Sequence, residues 1–135
     1  MILKSKVVII GDGKVGITIL HTLMMQKKHD LNLFLIAHHQ ERSRGDIEDL
    51  RHCLCENVKI NMGEYSDLRD ADILVIASGI KNSCNRTKFL QESYSMISEI
   101  VGQINKYQFK GNIIVVSNPN DVLTTYVSKN YYEPN

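Results

Sequence analysis

The chain has 135 residues, of which 43% are hydrophobic and 23% charged, and its formal net charge is +1. This length and composition fit one globular domain, residues 1–135, with its own core. The near-neutral charge favours neither nucleic acid nor a membrane surface as a partner, and no apolar run is long enough to span a bilayer. Three cysteines without a framework spacing, and a start without the features of a signal peptide, predict a cytoplasmic protein.

Short apolar runs alternate along the chain with segments of helical periodicity. Strands are predicted at residues 6–10, 31–36, 57–62, 73–78 and 112–117, and helices at 14–28, 45–54, 87–107 and within 118–131. On the first helix, the stripe expected to face the core contains Val15, Ile19, Thr22 and Leu23. The alternation predicts an α/β fold, in which a parallel sheet with right-handed crossovers lies between two layers of helices.

The sequence GDGKVG follows the first predicted strand and opens the first predicted helix. Gly11 permits a sharp turn, Gly13 removes a side chain where a pyrophosphate approaches, and Gly16 lets the helix pack against the sheet. The helix start at Lys14 and Val15 then offers free N–H groups to phosphates. The pattern predicts a dinucleotide site. A tight turn without a ligand, or a site for a related ligand such as S-adenosylmethionine, is the alternative.

The carboxylate that is expected to bind the adenosine ribose is absent from this sequence. Dinucleotide sites carry an Asp or Glu about 20 residues past the glycine loop, where it accepts hydrogen bonds from the adenosine ribose. Ala37 occupies that position, and four basic side chains follow it: His38, His39, Arg42 and Arg44. They either accommodate the 2′-phosphate of NADP or form an ordinary solvated loop. Since a hydrogen bond to a charged group contributes roughly 1.5–3 kcal/mol, loss of the acid predicts weaker NAD binding.

Four stretches together resemble one family. KVVIIGDGKVG, GDIEDLRH, GEYSDLRDADILVIASG and IIVVSNPNDVLTTYVSK are similar to the L-lactate and L-malate dehydrogenases, and closest to the lactate enzymes. They span nearly the whole chain in register. The resemblance implies a Rossmann-type, doubly wound parallel sheet of three α/β/α layers, which is the N-terminal half of an enzyme without its C-terminal catalytic domain. It implies NAD as cofactor and hydride transfer to or from a small 2-hydroxy acid.

The resemblance also implies roles for residues that follow the fourth and fifth strands. Ser78 and Gly79 would let the cofactor lie across the end of the fourth strand. Val116 and Ser117 would contact the nicotinamide ribose through their backbone. Asn118 would bind the substrate's oxygens and orient the nicotinamide, or else it only caps the turn before a proline.

The loop after the fourth strand departs from the family. Lys88 stands where relatives carry an arginine that polarises the substrate carbonyl, and a lysine lacks the planar, two-pronged donor geometry. The family's proton-donating histidine, its aspartate and its carboxylate-binding arginine belong to the missing half. We therefore expect a chain that is catalytically incomplete alone, and a non-catalytic nucleotide-binding or interaction module is the alternative. The 45–54 helix resembles a subunit-contact helix, so self-association is a further expectation.

A zinc site is suggested only weakly by the sequence HCLC at 52–55. Cys53 and Cys55 are separated by one residue, which is not the spacing of a structural zinc pair, and no second pair follows. We therefore predict no metal.

Overall fold

The structure of the chain is a computed structural model, and it describes residues 4–53, 56–80 and 84–131. The five strands, numbered β1 to β5 in chain order, are Ser5–Ile10, Leu31–Ile36, Val58–Met62, Ile73–Ile76 and Asn112–Val115. The four α-helices, α1 to α4, are Lys14–Met25, Gln40–Arg51, Arg86–Lys106 and Asn120–Asn130, and a 3₁₀ helix spans Tyr65–Asp70. None of the described helices is long and apolar enough to cross a membrane.

The sheet is parallel throughout, with strand order β3-β2-β1-β4-β5. β1 lies at the centre, where Val8 pairs with Phe34 of β2 on one side and Leu74 of β4 on the other. This confirms the predicted fold class. The chain winds from β1 outward to β3 and then returns to place β4 against the opposite side of β1.

Two hydrophobic cores lie on the two faces of the sheet. Alternate residues of β1 separate into them, because successive strand side chains point to opposite faces. Ile9 belongs to the core that includes Leu20 of α1 and Ile47 of α2. Val8 belongs to the core that includes Ile97 of α3. Helices therefore cover both faces, as the alternating pattern predicts.

The predicted core face of α1 is only partly right. Ile19 and Leu23 are partly buried and pack against the core, but Val15 is 52% exposed and Thr22 is exposed. The fully buried residues of the helix are Gly16, Leu20 and Met24. The contact of Gly16 with the preceding turn sets the helix rotation, because a Cβ there would lie 2.0 Å from the carbonyl oxygen of Gly11. Residues four and eight positions after Gly16 consequently face the sheet.

The predicted start of α2 at residue 45 is also wrong, since the helix begins at Gln40. His39 is the N-cap residue and its side chain makes no capping hydrogen bond. The cap is supplied from another part of the chain, by Asp12, whose carboxylate accepts a hydrogen bond from the His39 N–H at 2.9 Å. A cap that comes from 27 residues away leaves no local start signal in the sequence.

Two smaller differences have local causes. α1 ends at Met25 rather than at residue 28, and the Gln26 side chain accepts hydrogen bonds from the N–H groups of Lys28 and His29. A 3₁₀ helix for which no element was predicted lies between β3 and β4, and it begins with a reciprocal capping box between Glu64 and Asp67.

Candidate functional site

The loops at the carboxyl end of the sheet meet where the winding direction reverses. β1 is followed by a crossover to β2, while β4 and β5 continue on the other side of β1. In open α/β sheets, the crevice at this reversal is the usual ligand site. The turn from Gly11 to Gly16 and the segments after β4 and β5 all lie there.

The glycine turn is built by close backbone contacts. Gly11 has φ = +123°, a conformation that favours glycine, and a Cβ there would lie 2.6 Å from the backbone of Ala77 and Ser78. Gly16 packs even more closely against the carbonyl of Gly11. A Cβ at Gly13, by contrast, would meet nothing within 4 Å. The turn is therefore closed beneath Gly11 and Gly16 and open in front of Gly13.

The N-terminus of α1 has no internal cap. Gly13 is its N-cap residue, no side chain makes a capping hydrogen bond there, and the first turn contains no acid. α3 differs, because the Asn85 side chain accepts hydrogen bonds from the N–H groups of Thr87 and Lys88 at 3.0 and 3.3 Å. The first N–H groups of a helix have no intrahelical partner, so α1 presents donors and a positive dipole end beside the open space at Gly13.

A cleft of about 170 Å³ continues from this helix across the ends of β4 and β5. It brings together six of the predicted site residues, Val15, Ser78, Gly79, Val116, Ser117 and Asn118, with Ala77, Ile80 and Phe89. The strand ends are held together by Ile76, whose carbonyl accepts hydrogen bonds from the Val116 N–H at 2.9 Å and Ser117 Oγ at 3.2 Å. The cleft adjoins the glycine turn at Val15 and at Ala77, against whose backbone Gly11 packs, and the two together are called the groove below.

A larger cleft of about 350 Å³ lies elsewhere. Its lining includes Met24 and Arg51 near the ends of α1 and α2, and Val58 at the start of β3. These positions belong to the amino ends of the strands. Size alone would select this cleft, but ligands of such sheets bind at the carboxyl ends, so the smaller cleft is the candidate site.

Lys88, the loop residue expected to act on substrate, does not line the smaller cleft. Lys88 is in the first turn of α3, and its Nζ is 3.9 Å from a carboxylate oxygen of Glu92, one helical turn later. Phe89 lines the cleft in its place. The part of the loop at residues 81–83 lies outside the described residues. Phe89 was missed from the sequence because its neighbour Lys88 occupies the position that resembles the family's arginine.

The corner beside Ala37 contains a carboxylate that the sequence analysis missed. Ala37 is half-buried and packs against the core that lies under α1 and α2. Asp12, from the glycine turn, is only 6% exposed. Its Oδ2 accepts hydrogen bonds from the His39 N–H at 2.9 Å and from Ser43 Oγ at 3.1 Å. The Arg42 guanidinium donates to the Asp12 carbonyl at 3.0 Å. Asp12 thus joins the glycine turn to the corner beside Ala37, which is called the ribose corner below because a ribose is predicted to bind there.

Asp12 remains ionised in this environment. Burial alone raises the pKa of Asp12, but hydrogen bonds from the His39 backbone, Ser43 Oγ and the His38 backbone outweigh it, so the pKa lies below its ordinary value. A buried carboxylate with several donors is a stable negative charge at neutral pH.

Acid should destabilise the fold through Asp12. Because its pKa is depressed in the folded chain, its contribution to stability is present above the unfolded-state pKa and is lost as pH falls through the folded value. We expect Asp12→Asn to flatten the loss of unfolding free energy below about pH 5, measured by urea titrations. Asp49→Asn, at an exposed position of α2, should retain the original slope. An unchanged slope in Asp12→Asn would contradict this assignment.

The described residues contain no group of three or more His, Cys, Asp or Glu side chains placed to hold a metal ion. Cys53 and Cys84 are exposed free thiols. Cys55 lies outside the described residues.

Comparison with known proteins identifies the family. The family model described as lactate/malate dehydrogenase, NAD binding domain, matches residues 5–135. An L-lactate dehydrogenase of Borrelia turicatae is 32% identical over 136 residues, which cover 97% of this chain and 43% of that protein. The minor L-lactate dehydrogenase from Enterococcus mundtii, solved in a ligands-bound form, superposes with a TM-score of 0.87 at 28% identity and covers 95% of this chain and 42% of its own.

A lactate dehydrogenase from Eimeria maxima, solved with NADH and oxamate, superposes with a TM-score of 0.75 at 26% identity. The match covers 97% of this chain and 41% of that one. The chain therefore spans about two fifths of the length of these relatives. By sequence and by fold, it belongs to the lactate/malate dehydrogenase family and corresponds to that family's NAD-binding domain.

Proposed function

We propose that this chain binds NAD(H) along the groove and acts as the nucleotide-binding half of an L-lactate dehydrogenase-like oxidoreductase. One observation carries the proposal. The open space in front of Gly13 lies beside an uncapped helix N-terminus, at the reversal point of a parallel sheet. A diphosphate fits this chemistry, because it needs donors, a positive dipole end and a close backbone approach.

The remaining groove residues suit the other parts of the cofactor. Ser78 and Gly79 line the cleft after β4, and a Cβ at Gly79 would meet nothing within 4 Å, so an extended ligand could pass there. Val116 and Ser117 line the far end, where the nicotinamide would lie, and the exposed amide of Asn118 would orient it. When bound, NAD(H) supplies the hydride that moves to or from C2 of a 2-hydroxy or 2-oxo acid. The chain's own contribution is to hold the nicotinamide in position.

We propose that the chain binds cofactor without completing the reaction alone. Lys88, the residue that resembles the family's carbonyl-polarising arginine, pairs with Glu92 and does not line the cleft. A donor that stabilises charge developing on the carbonyl has to lie within hydrogen-bond distance of it. The proton donor and the carboxylate-binding residue would come from a segment like the remaining three fifths of the relatives.

A non-catalytic nucleotide-binding module is the second candidate. The position of Lys88 and the alanine at the ribose corner both favour it. The two candidates share cofactor binding and differ in chemistry. They separate when the chain is mixed with a purified C-terminal half of a related lactate dehydrogenase, because only the enzyme half would restore NADH oxidation.

Calorimetric titration of the chain with NADH tests the shared proposal. We expect saturable binding with a Kd below about 1 mM, which corresponds to roughly 4 kcal/mol of binding free energy. ADP-ribose should bind within about tenfold of NADH, because most of the proposed contacts are to the adenosine and pyrophosphate. Nicotinamide mononucleotide is the matched control and should bind far more weakly. Absence of binding by both NADH and ADP-ribose would contradict the proposal.

Three finer expectations accompany the proposal of cofactor binding. The sequence leaves NADP(H) as an alternative cofactor, which the exposed Arg42 and His39 would favour and the buried carboxylate of Asp12 beside them would oppose. Self-association through α2 is expected from the resemblance of its sequence to a subunit-contact helix. A cytoplasmic location follows from the cysteine pattern.

A further inference from the structure

The N-terminus of α2 faces the ribose corner, and Asp12 already occupies it. The Asp12 carboxylate accepts hydrogen bonds from the N–H group of His39 and from Ser43 Oγ. The His39 ring also lies close, with Nδ1 3.5 Å from Asp12 Oδ2. An anion is therefore built into the position at which a helix N-terminus would otherwise attract one.

Arg42 lies close to this carboxylate and is engaged with the same residue. Its guanidinium donates to the Asp12 carbonyl oxygen at 3.0 Å and lies 3.9 Å from the carboxylate oxygen Oδ2. Both groups that a 2′-phosphate would use at this corner, the helix N-terminus and a guanidinium, thus face an existing negative charge. A phosphate placed there would meet a buried carboxylate, which solvent screens poorly.

We infer that Asp12 determines cofactor specificity, because its carboxylate makes the corner beside Ala37 reject a 2′-phosphate and so selects NAD(H) over NADP(H). This inference rests on the proposed function. It assigns Asp12 a role in selectivity that is separate from the phosphate turn in which it lies. Among the basic residues after Ala37, Arg42 balances Asp12 and is not free for a phosphate.

The test compares two ligands that differ only at the corner, ADP-ribose and 2′-phospho-ADP-ribose, by calorimetric titration of the whole chain. We expect the phosphorylated ligand to bind at least about tenfold more weakly to the unmodified chain, because the added charge meets Asp12. Asp12→Asn keeps an oxygen acceptor for the His39 N–H but removes the charge. It should reduce the ratio between the two affinities by about fivefold or more.

Asp49→Asn is the matched control. It removes one negative charge from α2 itself, about 14 Å along the helix axis from the N-terminus that Asp12 caps, and should leave the ratio unchanged. If circular dichroism shows that Asp12→Asn is unfolded, Asp12→Ser replaces it, because serine also offers an oxygen acceptor without charge. The same fall in the ratio is expected.

An unmodified chain that binds both ligands equally, or prefers the phosphorylated one, would overturn the inference. So would an affinity ratio that Asp12→Asn and Asp12→Ser leave unchanged. Either result leaves the proposed function standing, because ADP-ribose still binds. Failure of the unmodified chain to bind ADP-ribose would instead remove the proposed function, and this inference with it.

Discussion

Gly16→Ala is expected to lower the free energy of unfolding by at least about 3 kcal/mol, because overpacking against rigid backbone is among the costliest small substitutions. The added Cβ would lie 2.0 Å from the carbonyl oxygen of Gly11. That oxygen cannot retreat easily, since Gly11 itself lies against the backbone of Ala77 and Ser78. The higher helix propensity of alanine stabilises the helix by only about 1 kcal/mol, so the steric clash dominates the change in unfolding free energy.

Gly13→Ala is the matched variant, with the same added methyl group three residues earlier. Its Cβ would meet nothing within 4 Å, so the unfolding free energy should change by less than about 1 kcal/mol. The methyl group would instead fill the open space proposed for the pyrophosphate, and NADH affinity should fall at least about tenfold. Urea unfolding followed by circular dichroism, together with NADH titration, measures both effects.

The two variants separate folding from binding at one turn. Equal stability of Gly16→Ala and the unmodified chain would mean that α1 does not contact the turn as described. A Gly13→Ala chain that binds NADH with unchanged affinity would mean that the pyrophosphate lies elsewhere. Either result would mean that the proposed position of the cofactor on the sheet is wrong.

Much of the fold follows from local sequence signals. Each predicted strand exists, because short β-branched and apolar runs bounded by turns have few alternatives. Helix phase and helix starts are less local. The rotation of α1 depends on Gly16 against Gly11, and the start of α2 depends on Asp12. Neither contact leaves a periodic signal in the segment that it controls.

The candidate site shows the same division. The glycine turn was predictable because the motif G-x-G-x-x-G between a strand and a helix is a local sequence pattern with a known backbone geometry. Asp12 was missed because a polar residue between two glycines suggests an exposed turn, whereas its partners, His39 and Ser43, lie some thirty residues later. A charged residue inside a turn that must pack closely is the signal that would have indicated a buried partner.

Ala37→Asp is expected to tighten NADH binding by about tenfold, because it restores an acceptor for the adenosine ribose hydroxyls. The full value of two charged hydrogen bonds is not expected. Ala37 lies two residues before His39, whose N–H binds Asp12, so the new carboxylate would lie near an existing one. The repulsion between the two carboxylates should reduce the gain in NADH affinity and should also lower the unfolding free energy slightly.

Titrations of Ala37→Asp with NADH and NADPH measure this effect, and Ala37→Asn is the neutral control of nearly equal size. Asparagine offers a weaker acceptor without charge, so it should tighten NADH by less than the aspartate does. Since two carboxylates would then face a 2′-phosphate, Ala37→Asp should weaken NADPH binding while it strengthens NADH binding. Unchanged or weaker NADH binding would show that the adenosine ribose does not lie at the end of β2. In that case Asp12 would act only as the cap that joins the glycine turn to α2.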